Sequence, residues 1–312
     1  MSEAPEKGSG QAFRSGFVSL IGLPNAGKST LLNALVGQKV AIVADKPQTT
    51  RTSIQGVLTL PDAQIVFLDT PGIHKADSPL NKRLMATVRA SVDQRDLLLF
   101  VADATQAPGQ EDRRAIDLAR RAEAPVALVL NKIDLIKEKA RLLPRIEQYK
   151  ALFDFVDYLP VSATKGKGLD ELRQAIVARL PEGPAYFAED YVTDQPERFL
   201  AAELIREKVL HATRQEVPHS VAVTVDKWEE TPTLTRIFAS IRVERAGQKA
   251  IVIGAKGATL KRIGTLARQD MESLFGAKIY LDLHVRVQPA WREKAAFLDT
   301  LDWRKMTGED DS

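Results

Sequence analysis

The chain has 312 residues, of which 44% are hydrophobic and 27% charged. This predicts about two globular domains and excludes a fibrous or wholly disordered protein, and the absence of cysteine excludes disulfides, thiolate metal sites and a cysteine nucleophile. The net charge is only +3, yet residues 236–305 hold 14 Lys and Arg against 7 Asp and Glu, an excess that suits a surface that meets phosphates.

Residues 1–13 are polar and contain glycine, which predicts a disordered lead. They lack the apolar stretch and the small-residue cleavage site of a secretory signal. Apolar runs in the sequence are far shorter than the roughly 18 residues that a membrane-spanning helix needs. We therefore expect a cytoplasmic protein.

Apolar, strand-like runs alternate with helical patterns over residues 14–182. This alternation predicts βαβ units and hence an α/β domain with a mostly parallel sheet and helices on both faces. Proline and glycine at residues 181–184 interrupt the last helix, so a linker is expected over 183–196. The expected strands are 17–21, 53–60, 63–68, 97–102, 126–130 and 158–161.

Residues 197–305 follow a different pattern, in which apolar and polar residues alternate strictly, most clearly over 278–287. Such alternation is typical of strands with one face against a core. Helical patterns at 197–214 and 259–274 would cover that face, which predicts a second, smaller α+β domain. The acidic residues 306–312 are expected to form a frayed tail.

A phosphate-binding loop is predicted at residues 22–29, which have the sequence GLPNAGKS and lie between a predicted strand and an apolar-faced helix. The spacing fits G-x-x-x-x-G-K-S. Backbone N–H groups of this loop would point at phosphate oxygens, and Lys28 would neutralise the β- and γ-phosphates. The hydroxyl of Ser29 would bind Mg²⁺.

Two later motifs indicate which base is bound. The sequence NKID at residues 131–134 follows a buried strand, and SAT at residues 162–164 follows the last strand of this domain. The carboxylate of Asp134 can accept both N–H donors on the Watson–Crick edge of guanine, an arrangement that adenine does not offer. Because a wrong base would leave this carboxylate unpaired, the motif favours GTP over ATP.

The sequence DTPG at residues 69–72 follows another apolar strand. Asp69 would hold Mg²⁺ through water, and Gly72 would offer its N–H to the γ-phosphate. The polar loop before this strand contains two threonines that could complete the Mg²⁺ shell, and we favour Thr50 over Thr49.

In order and spacing these motifs are similar to those of translation-factor-type GTPases, and together they resemble the Era family of ribosome-associated GTPases most closely. The resemblance implies catalytic roles for Lys28, Thr50 and Gly72, and Mg²⁺ ligation by Ser29, Thr50 and Asp69. The residues implied to contact the nucleotide are Asn25, Ala26, Gly27, Lys28, Ser29, Thr30, Asp69, Gly72, Asn131, Lys132, Asp134, Ser162 and Ala163.

One residue departs from the pattern of Ras-like GTPases. Ile73 stands where those enzymes have the glutamine that orients the attacking water, so we expect slow intrinsic hydrolysis unless other groups position the water. In related GTPases an asparagine at the position of Asn25 helps to hold K⁺ against the phosphates. The resemblance therefore implies stimulation by K⁺, while a purely structural role of Asn25 in the loop stays open.

A second glycine loop, GAKG at residues 254–257, precedes the helix predicted at 259–274. Such a loop lets an RNA backbone approach closely while basic neighbours neutralise its phosphates, although a simple chain turn stays open on these residues alone. Periodicity predicts a strand at 249–253, whereas resemblance to the type II K-homology (KH) domain of the same family implies a short helix there. The residues expected to bind RNA are Lys249, Gly254, Ala255, Lys256, Gly257, Lys261 and Arg262.

The resemblance thus implies an α/β P-loop GTPase domain over 14–182 and a smaller α+β type II KH domain over 197–305. The implied function is a monomeric GTP-hydrolysing switch, with Mg²⁺ as cofactor, that binds 16S ribosomal RNA near its 3′ end and assists 30S subunit assembly and maturation. One alternative is a GTP-controlled protein- or membrane-docking switch with peripheral contact at the inner membrane. The other is a P-loop small-molecule kinase, which the NKID motif argues against.

Overall fold

The computed structural model describes residues 12–46, 48–73, 78–214 and 217–303. Most of the expected disordered lead and all of the expected acidic tail lie outside these residues. Within them the strands form two sheets, one of six strands and one of three. The domain limits expected at residues 182 and 196 stay predictions.

The first sheet is mostly parallel, as predicted. Its strand order is β2-β3-β1-β4-β5-β6, and β2 runs antiparallel to β3 while the other neighbours are parallel. All six predicted strands are present: β1 (Arg14–Ile21), β2 (Ile54–Thr59), β3 (Ala63–Asp69), β4 (Leu97–Asp103), β5 (Val126–Asn131) and β6 (Tyr158–Pro160).

Helices cover both faces of this sheet, which confirms the predicted α/β class. One apolar cluster includes Leu31 and Leu172 and the other includes Ile116 and Tyr149. Because β1, β3 and β5 are parallel, the loops after them meet at one edge of the sheet. The helices are α1 (Lys28–Val36), α2 (Pro79–Ala90), α3 (Gln110–Ala119), α4 (Leu142–Lys150) and α5 (Leu169–Val177).

The segment that joins the two sheets follows a fixed path along the edge strand β2. The N–H of Val57 donates to the carbonyl of Val192 (2.8 Å), and the hydroxyl of Thr193 donates to the carbonyl of Gln55 (2.7 Å). Residues 183–196 form neither helix nor strand, and their role as a linker stays a prediction. These bonds attach the segment to the first sheet along its route to the second.

The second sheet consists of β7 (Ala222–Thr231), β8 (Leu234–Val243) and β9 (Ile279–Val287), with β7 antiparallel and β9 parallel to β8. Helices α6 (Glu197–Ala212), α7 (Ala246–Ile253) and α8 (Ala258–Phe275) form an apolar core with it. This confirms the predicted α+β class and both predicted helices.

The short helix α7 overturns the strand expected from periodicity at 249–253. Of its residues only Val252 is buried, so its apolar run does not lie between two sheet neighbours. The place beside β8 is taken by β9 instead. The helix implied by the family resemblance is therefore correct.

The C-terminal helix α9 (Ala295–Asp299) and the turn before it bring the two domains into contact. Trp291 is fully buried in a cluster with Leu80 and Leu84 of α2. The guanidinium of Arg83, also in α2, pairs with Asp299 at 3.0 Å. No helix in the described parts of the chain is both long and apolar enough to cross a membrane.

Candidate nucleotide site and nucleic-acid interface

The loop between β1 and α1 has the geometry of a phosphate cradle. Gly27 adopts a left-handed conformation (φ 92°) at the N-terminus of α1, and a Cβ on it would lie 2.4 Å from Nδ2 of Asn131. Glycine is therefore required both by the backbone angle and by the close neighbour. The N–H groups of the first helical turn and the positive end of α1 make this turn suited to bind phosphate.

Lys28 is buried at the start of α1, and its ammonium donates to the carbonyls of Gly22 (3.1 Å) and Leu23 (3.0 Å). Burial lowers the pKa of Lys28 to about 8, although the nearby carboxylate of Asp69 acts in the opposite direction. Anionic phosphates beside the ammonium would favour its charged form. The loop thus holds a cation in the place that the sequence assigned to it.

Three predicted Mg²⁺ ligands converge on one point. The hydroxyl of Ser29 donates to Oδ2 of Asp69 (2.5 Å) and lies 2.9 Å from the hydroxyl of Thr50, which itself is 3.2 Å from Oδ2 of Asp69. Asp69 is fully buried, and burial raises its pKa despite the neighbouring Lys28. Three oxygen groups are therefore brought together from α1, the loop before β2, and the end of β3.

This cluster suits a hard divalent cation. Oδ1 of Asp69 is buried and has no hydrogen-bond partner among the described residues, although such an atom normally has one. Two hydroxyls and a carboxylate are the oxygen donors that Mg²⁺ takes when it also binds substrate phosphates. Ser29, Thr50 and Asp69 thus fit the metal that the motifs implied.

The side of the site predicted to bind guanine is organised by Asn131 at the end of β5. Its Nδ2 donates to the carbonyl of Ala26 (3.1 Å), and its Oδ1 accepts the N–H of Ala163 (3.1 Å). Oδ1 of Asp134 accepts the hydroxyl of Ser162 at 2.5 Å. The NKID and SAT motifs, far apart in sequence, therefore orient one another and the phosphate loop.

A cavity of about 490 Å³ joins these two sides. This volume is within the range of pockets that hold a small-molecule ligand. Asn25 lies at its exposed rim with a left-handed backbone (φ 61°). The predicted Mg²⁺ ligand Thr50 lines the cavity, as do most of the predicted nucleotide residues: Asn25, Gly27, Lys28, Ser29, Thr30, Gly72, Asn131, Lys132, Asp134 and Ala163.

Ile73 takes no part in this cavity. Its N–H donates to the carbonyl of Gly22 (3.2 Å), and its side chain packs against the apolar cluster under the sheet. The side chain thus faces core residues rather than the place where an attacking water would lie. The expectation that other groups must position this water remains a prediction.

Asp103 at the end of β4 is a further residue of this site, which none of the sequence motifs indicated. Its carboxylate pairs with the ammonium of Lys132 at 2.8 Å. Burial acts to raise the pKa of Asp103, but hydrogen bonds from Lys132 and Thr105 outweigh burial and hold this pKa below its ordinary value. The signal in the sequence was an acidic residue directly after a buried strand, the same position that singled out Asp69.

The second glycine loop connects α7 to α8 and has an unusual backbone. Gly254 has φ 72° and ψ 177°, Lys256 has φ 50° and Gly257 has φ 79°. Three positive φ angles within four residues make a tight turn that exposes backbone groups. Ile251, which is 54% exposed, lies one turn before it on α7.

The cations expected to bind RNA flank this loop. Lys256 in the loop is exposed, as are Lys261 and Arg262 near the start of α8, whereas Lys249 on α7 is half-buried. None of the four has a carboxylate partner within the described ranges, whereas Arg268 further along α8 pairs with Glu272 at 2.8 Å. The structure thus places unpaired positive charge around a backbone that a nucleic acid could approach.

Known proteins match both domains. A family profile described as a 50S ribosome-binding GTPase matches residues 17–132, and a KH-domain profile matches residues 216–292. The GTPase Era of Geobacter metallireducens is 50% identical over 93% of this chain and 97% of its own length. The GTPase Era of Staphylococcus haemolyticus is 46% identical over 91% of this chain and 95% of its own.

Solved structures agree over almost the whole chain. An Era structure in complex with MgGDPNP and nucleotides 1506–1542 of 16S ribosomal RNA has a TM-score of 0.90 and 40% identity, and the match covers 93% of this chain and 99% of that one. A variant of Aquifex aeolicus Era bound to GDP·AlF4⁻ has a TM-score of 0.89 with the same identity and coverage.

Fold and sites together define a P-loop GTPase with a C-terminal KH domain, so the predicted enzyme class is confirmed. The chain belongs to the Era family of GTPases. Its relatives are matched over nearly their full length, so both domains are part of the likeness.

Proposed function

We propose that this protein is a GTP-hydrolysing switch that binds 16S ribosomal RNA near its 3′ end and assists assembly and maturation of the 30S subunit. The observation that carries the proposal is the presence, in one chain, of a guanine-nucleotide site and a GAKG loop surrounded by unpaired cations. It is supported by the Era structure described with MgGDPNP and 16S ribosomal RNA.

In hydrolysis, Lys28 and the N–H groups of the phosphate loop would hold and neutralise the β- and γ-phosphates. Ser29, Thr50 and Asp69 would hold Mg²⁺, which supplies positive charge against the phosphates. The N–H of Gly72 would donate to the γ-phosphate. Catalysis of this kind rests on positioning and electrostatic stabilisation rather than on a covalent intermediate.

Base recognition would depend on Asp134. Its carboxylate is oriented by the hydroxyl of Ser162, so both oxygens can accept the two N–H donors of guanine. K⁺ is proposed as a further cofactor beside Asn25, whose exposed position at the cavity rim supports access from solvent. Equal hydrolysis rates in Na⁺ and K⁺ would rule out this part.

RNA recognition would use the GAKG loop for backbone contact and Lys249, Lys256, Lys261 and Arg262 for phosphate charge. The exposed Ile251 beside the loop provides an apolar surface for an unpaired base. The profile that matches the first domain is described as a 50S ribosome-binding GTPase. The proposal of the small subunit therefore rests on the structure of the related Era in complex with 16S ribosomal RNA. The test must therefore include RNA of both subunits.

The experiment measures binding of a labelled single-stranded RNA matching the 16S 3′ end, and of a 23S-derived RNA of equal length, at fixed salt. Each is tested with a non-hydrolysable GTP analogue, with GDP and without nucleotide. We expect tight binding of the 16S RNA that depends on the nucleotide. Equally weak binding in all three states would instead favour a protein- or membrane-docking role for the second domain.

A pair of charge reversals localises the interface. Lys256→Glu should weaken RNA binding at least about tenfold and reduce its salt dependence, while GTP hydrolysis is retained. Lys278→Glu makes the same charge change at the far end of α8 and should have a small effect. Equal losses in both variants would indicate non-specific attraction and contradict the proposed site.

We expect the protein to act as a monomer in the cytoplasm, because GTP and ribosomal subunits are available there. Peripheral contact with the inner membrane is retained only as an alternative outcome, tested by sedimentation with vesicles of anionic lipid. A small-molecule kinase would be favoured if ATP competed with GTP for the nucleotide site.

A further inference from the structure

The loop that carries Thr50 is contacted by a single buried arginine of the second domain. Arg206 on α6 is 2% exposed. Its guanidinium donates to the carbonyl of Gln48 at 3.3 Å and also to the carbonyl of Thr49. These are the two carbonyls that directly precede Thr50, so one side chain contacts the backbone that places this hydroxyl.

The orientation of this guanidinium is fixed by hydrogen bonds to Glu203, which also lies on α6. Nε and Nη2 of Arg206 donate to the two carboxylate oxygens of Glu203, at 2.7 Å and 2.5 Å. Such a two-point pair holds the plane of the guanidinium and leaves little freedom. Gln48 has a left-handed backbone (φ 60°), which is uncommon for a residue with a side chain and needs surrounding contacts to persist.

The same helix holds an earlier part of the loop as well. Glu207 accepts the N–H of Val43 at 2.9 Å and pairs with Lys39 at 2.7 Å, and Nε2 of His211 lies 2.9 Å from the carbonyl of Val43. Asp270 on α8 also pairs with Lys39, at 2.8 Å. Contacts to the loop are thus made from one face of the second domain, largely to backbone atoms.

We propose that Arg206 is a positioning residue for Thr50, through which the docked second domain selects GTP over GDP. Thr50 lies 2.9 Å from the hydroxyl of Ser29, in the place where the metal and the γ-phosphate would engage it. GDP lacks the γ-phosphate and does not need Thr50 there. Holding the loop closed therefore favours only the triphosphate.

The coupling acts in both directions. If docking of α6 favours GTP, then GTP favours docking of the second domain by the same factor. Loss of GTP would release the two carbonyls and leave Arg206 with Glu203 as its hydrogen-bond partner. The orientation of the second domain is thereby tied to the state of the nucleotide.

The test uses the full chain and nucleotides alone. Affinities for a fluorescent non-hydrolysable GTP analogue and for the matching GDP are measured for the wild type and for Arg206→Gln. We expect about tenfold weaker binding of the analogue, within the usual range of coupling between sites, while GDP affinity changes by less than about twofold. Arg198→Gln is the matched control, since Arg198 lies on the same helix but is exposed and has no hydrogen bond or ion pair to a loop residue in the described structure.

A double-mutant cycle separates positioning from simple support of the interface. If Arg206 acts through Thr50, Arg206→Gln should have no further effect on the analogue in a Thr50→Ala background. Arg206→Lys keeps the positive charge but loses the planar guanidinium that donates to two acceptors at once, so it should show a smaller loss of affinity for the GTP analogue alone. This variant also serves if Arg206→Gln folds poorly. Equal losses for both nucleotides, or additive effects in the cycle, would overturn the inference.

The positioning role of Arg206 is independent of RNA binding. Failure of the RNA experiment would leave the nucleotide selectivity of Arg206 in place. Conversely, an unselective Arg206→Gln variant that still bound 16S RNA would refute the positioning role alone.

Discussion

The conformation of Gly254 gives the sharpest test of the GAKG loop. Its backbone angles, φ 72° and ψ 177°, fall in a region that is essentially restricted to glycine. A Cβ at this position would lie 2.2 Å from Oγ1, 2.7 Å from Cβ and 3.0 Å from the backbone N of Thr259. Because a backbone atom is among these contacts, rotation of the Thr259 side chain does not relieve the clash. Gly254→Ala must therefore distort the loop or destabilise the domain.

The magnitude follows from two contributions. The backbone angles alone cost about 1–3 kcal/mol for a residue with a Cβ, and the contacts with Thr259 add to that. Gly276 supplies a control at the other end of α8, because it also has a positive φ (66°) but nothing within 4 Å of its Cβ position. Gly276→Ala should thus cost about 1–2 kcal/mol and leave the RNA site unchanged.

Two assays separate these effects. RNA binding at fixed salt should fall by about 10- to 100-fold for Gly254→Ala, since about 1.4 kcal/mol corresponds to a factor of ten, and should stay near wild type for Gly276→Ala. All three tryptophans, Trp228, Trp291 and Trp303, lie in the second domain, so urea unfolding followed by their fluorescence reports its stability. Equal losses of RNA affinity in the two variants would refute the argument, as would a Gly254→Ala protein with wild-type stability and wild-type binding.

Three further changes test the nucleotide site, the core and the domain interface. Asp134→Asn replaces one of the two carboxylate acceptors by an amide donor. We therefore expect about 100-fold weaker GTP binding from the loss of charged hydrogen bonds and improved binding of xanthosine triphosphate, both measured by competition. An unchanged base preference would contradict the assignment. Trp291→Phe removes the 2.9 Å hydrogen bond from Nε1 to the carbonyl of Ser220. This loss should lower the free energy of unfolding by about 1–3 kcal/mol, measured by urea titration followed by circular dichroism. A change below about 0.5 kcal/mol would contradict a stabilising role for this bond. Burial acts to raise the pKa of Glu207, but hydrogen bonds from its two lysine partners outweigh burial and lower this pKa. The contribution of Glu207 to folding stability is therefore complete above its ordinary pKa of 4.5 and is lost as the pH falls through the lower pKa of the folded state. Urea unfolding of wild type and Glu207→Gln should therefore differ at pH 6.5 and converge in acid, whereas parallel curves would show that the carboxylate contributes no pH dependence.

The two glycine loops show what a short stretch of sequence can specify. At residues 22–29 and 254–257 the required backbone angles, the following helix and the neighbouring cations all come from residues close together in the chain. The parallel order of the first sheet followed from its apolar runs, and this order brings the ends of β1, β3 and β5 to one edge. Local pattern therefore determined the fold class and the candidate nucleotide residues.

Periodicity predicted the wrong element at residues 249–253, because the spacing of the apolar residues there does not match which side chains are buried. The run at 249–253 has the apolar composition of a strand, yet only Val252 is buried because α7 lies at the edge of the core. Which segment pairs with β8 depends on competition between distant parts of the chain, and β9 takes that place. A window of a few residues contains no information about that competition.

The contacts between the domains were decided by tertiary structure alone. Lys39 meets Asp270 across 231 positions of sequence, and Arg206 reaches the carbonyls beside Thr50 from another domain. Every residue has a backbone carbonyl, so a side chain that binds carbonyls leaves no pattern in the sequence of the segment that it contacts. The sequence by itself predicted the phosphate, guanine and RNA motifs, whereas only the folded chain determined how the second domain contacts the loop that carries Thr50.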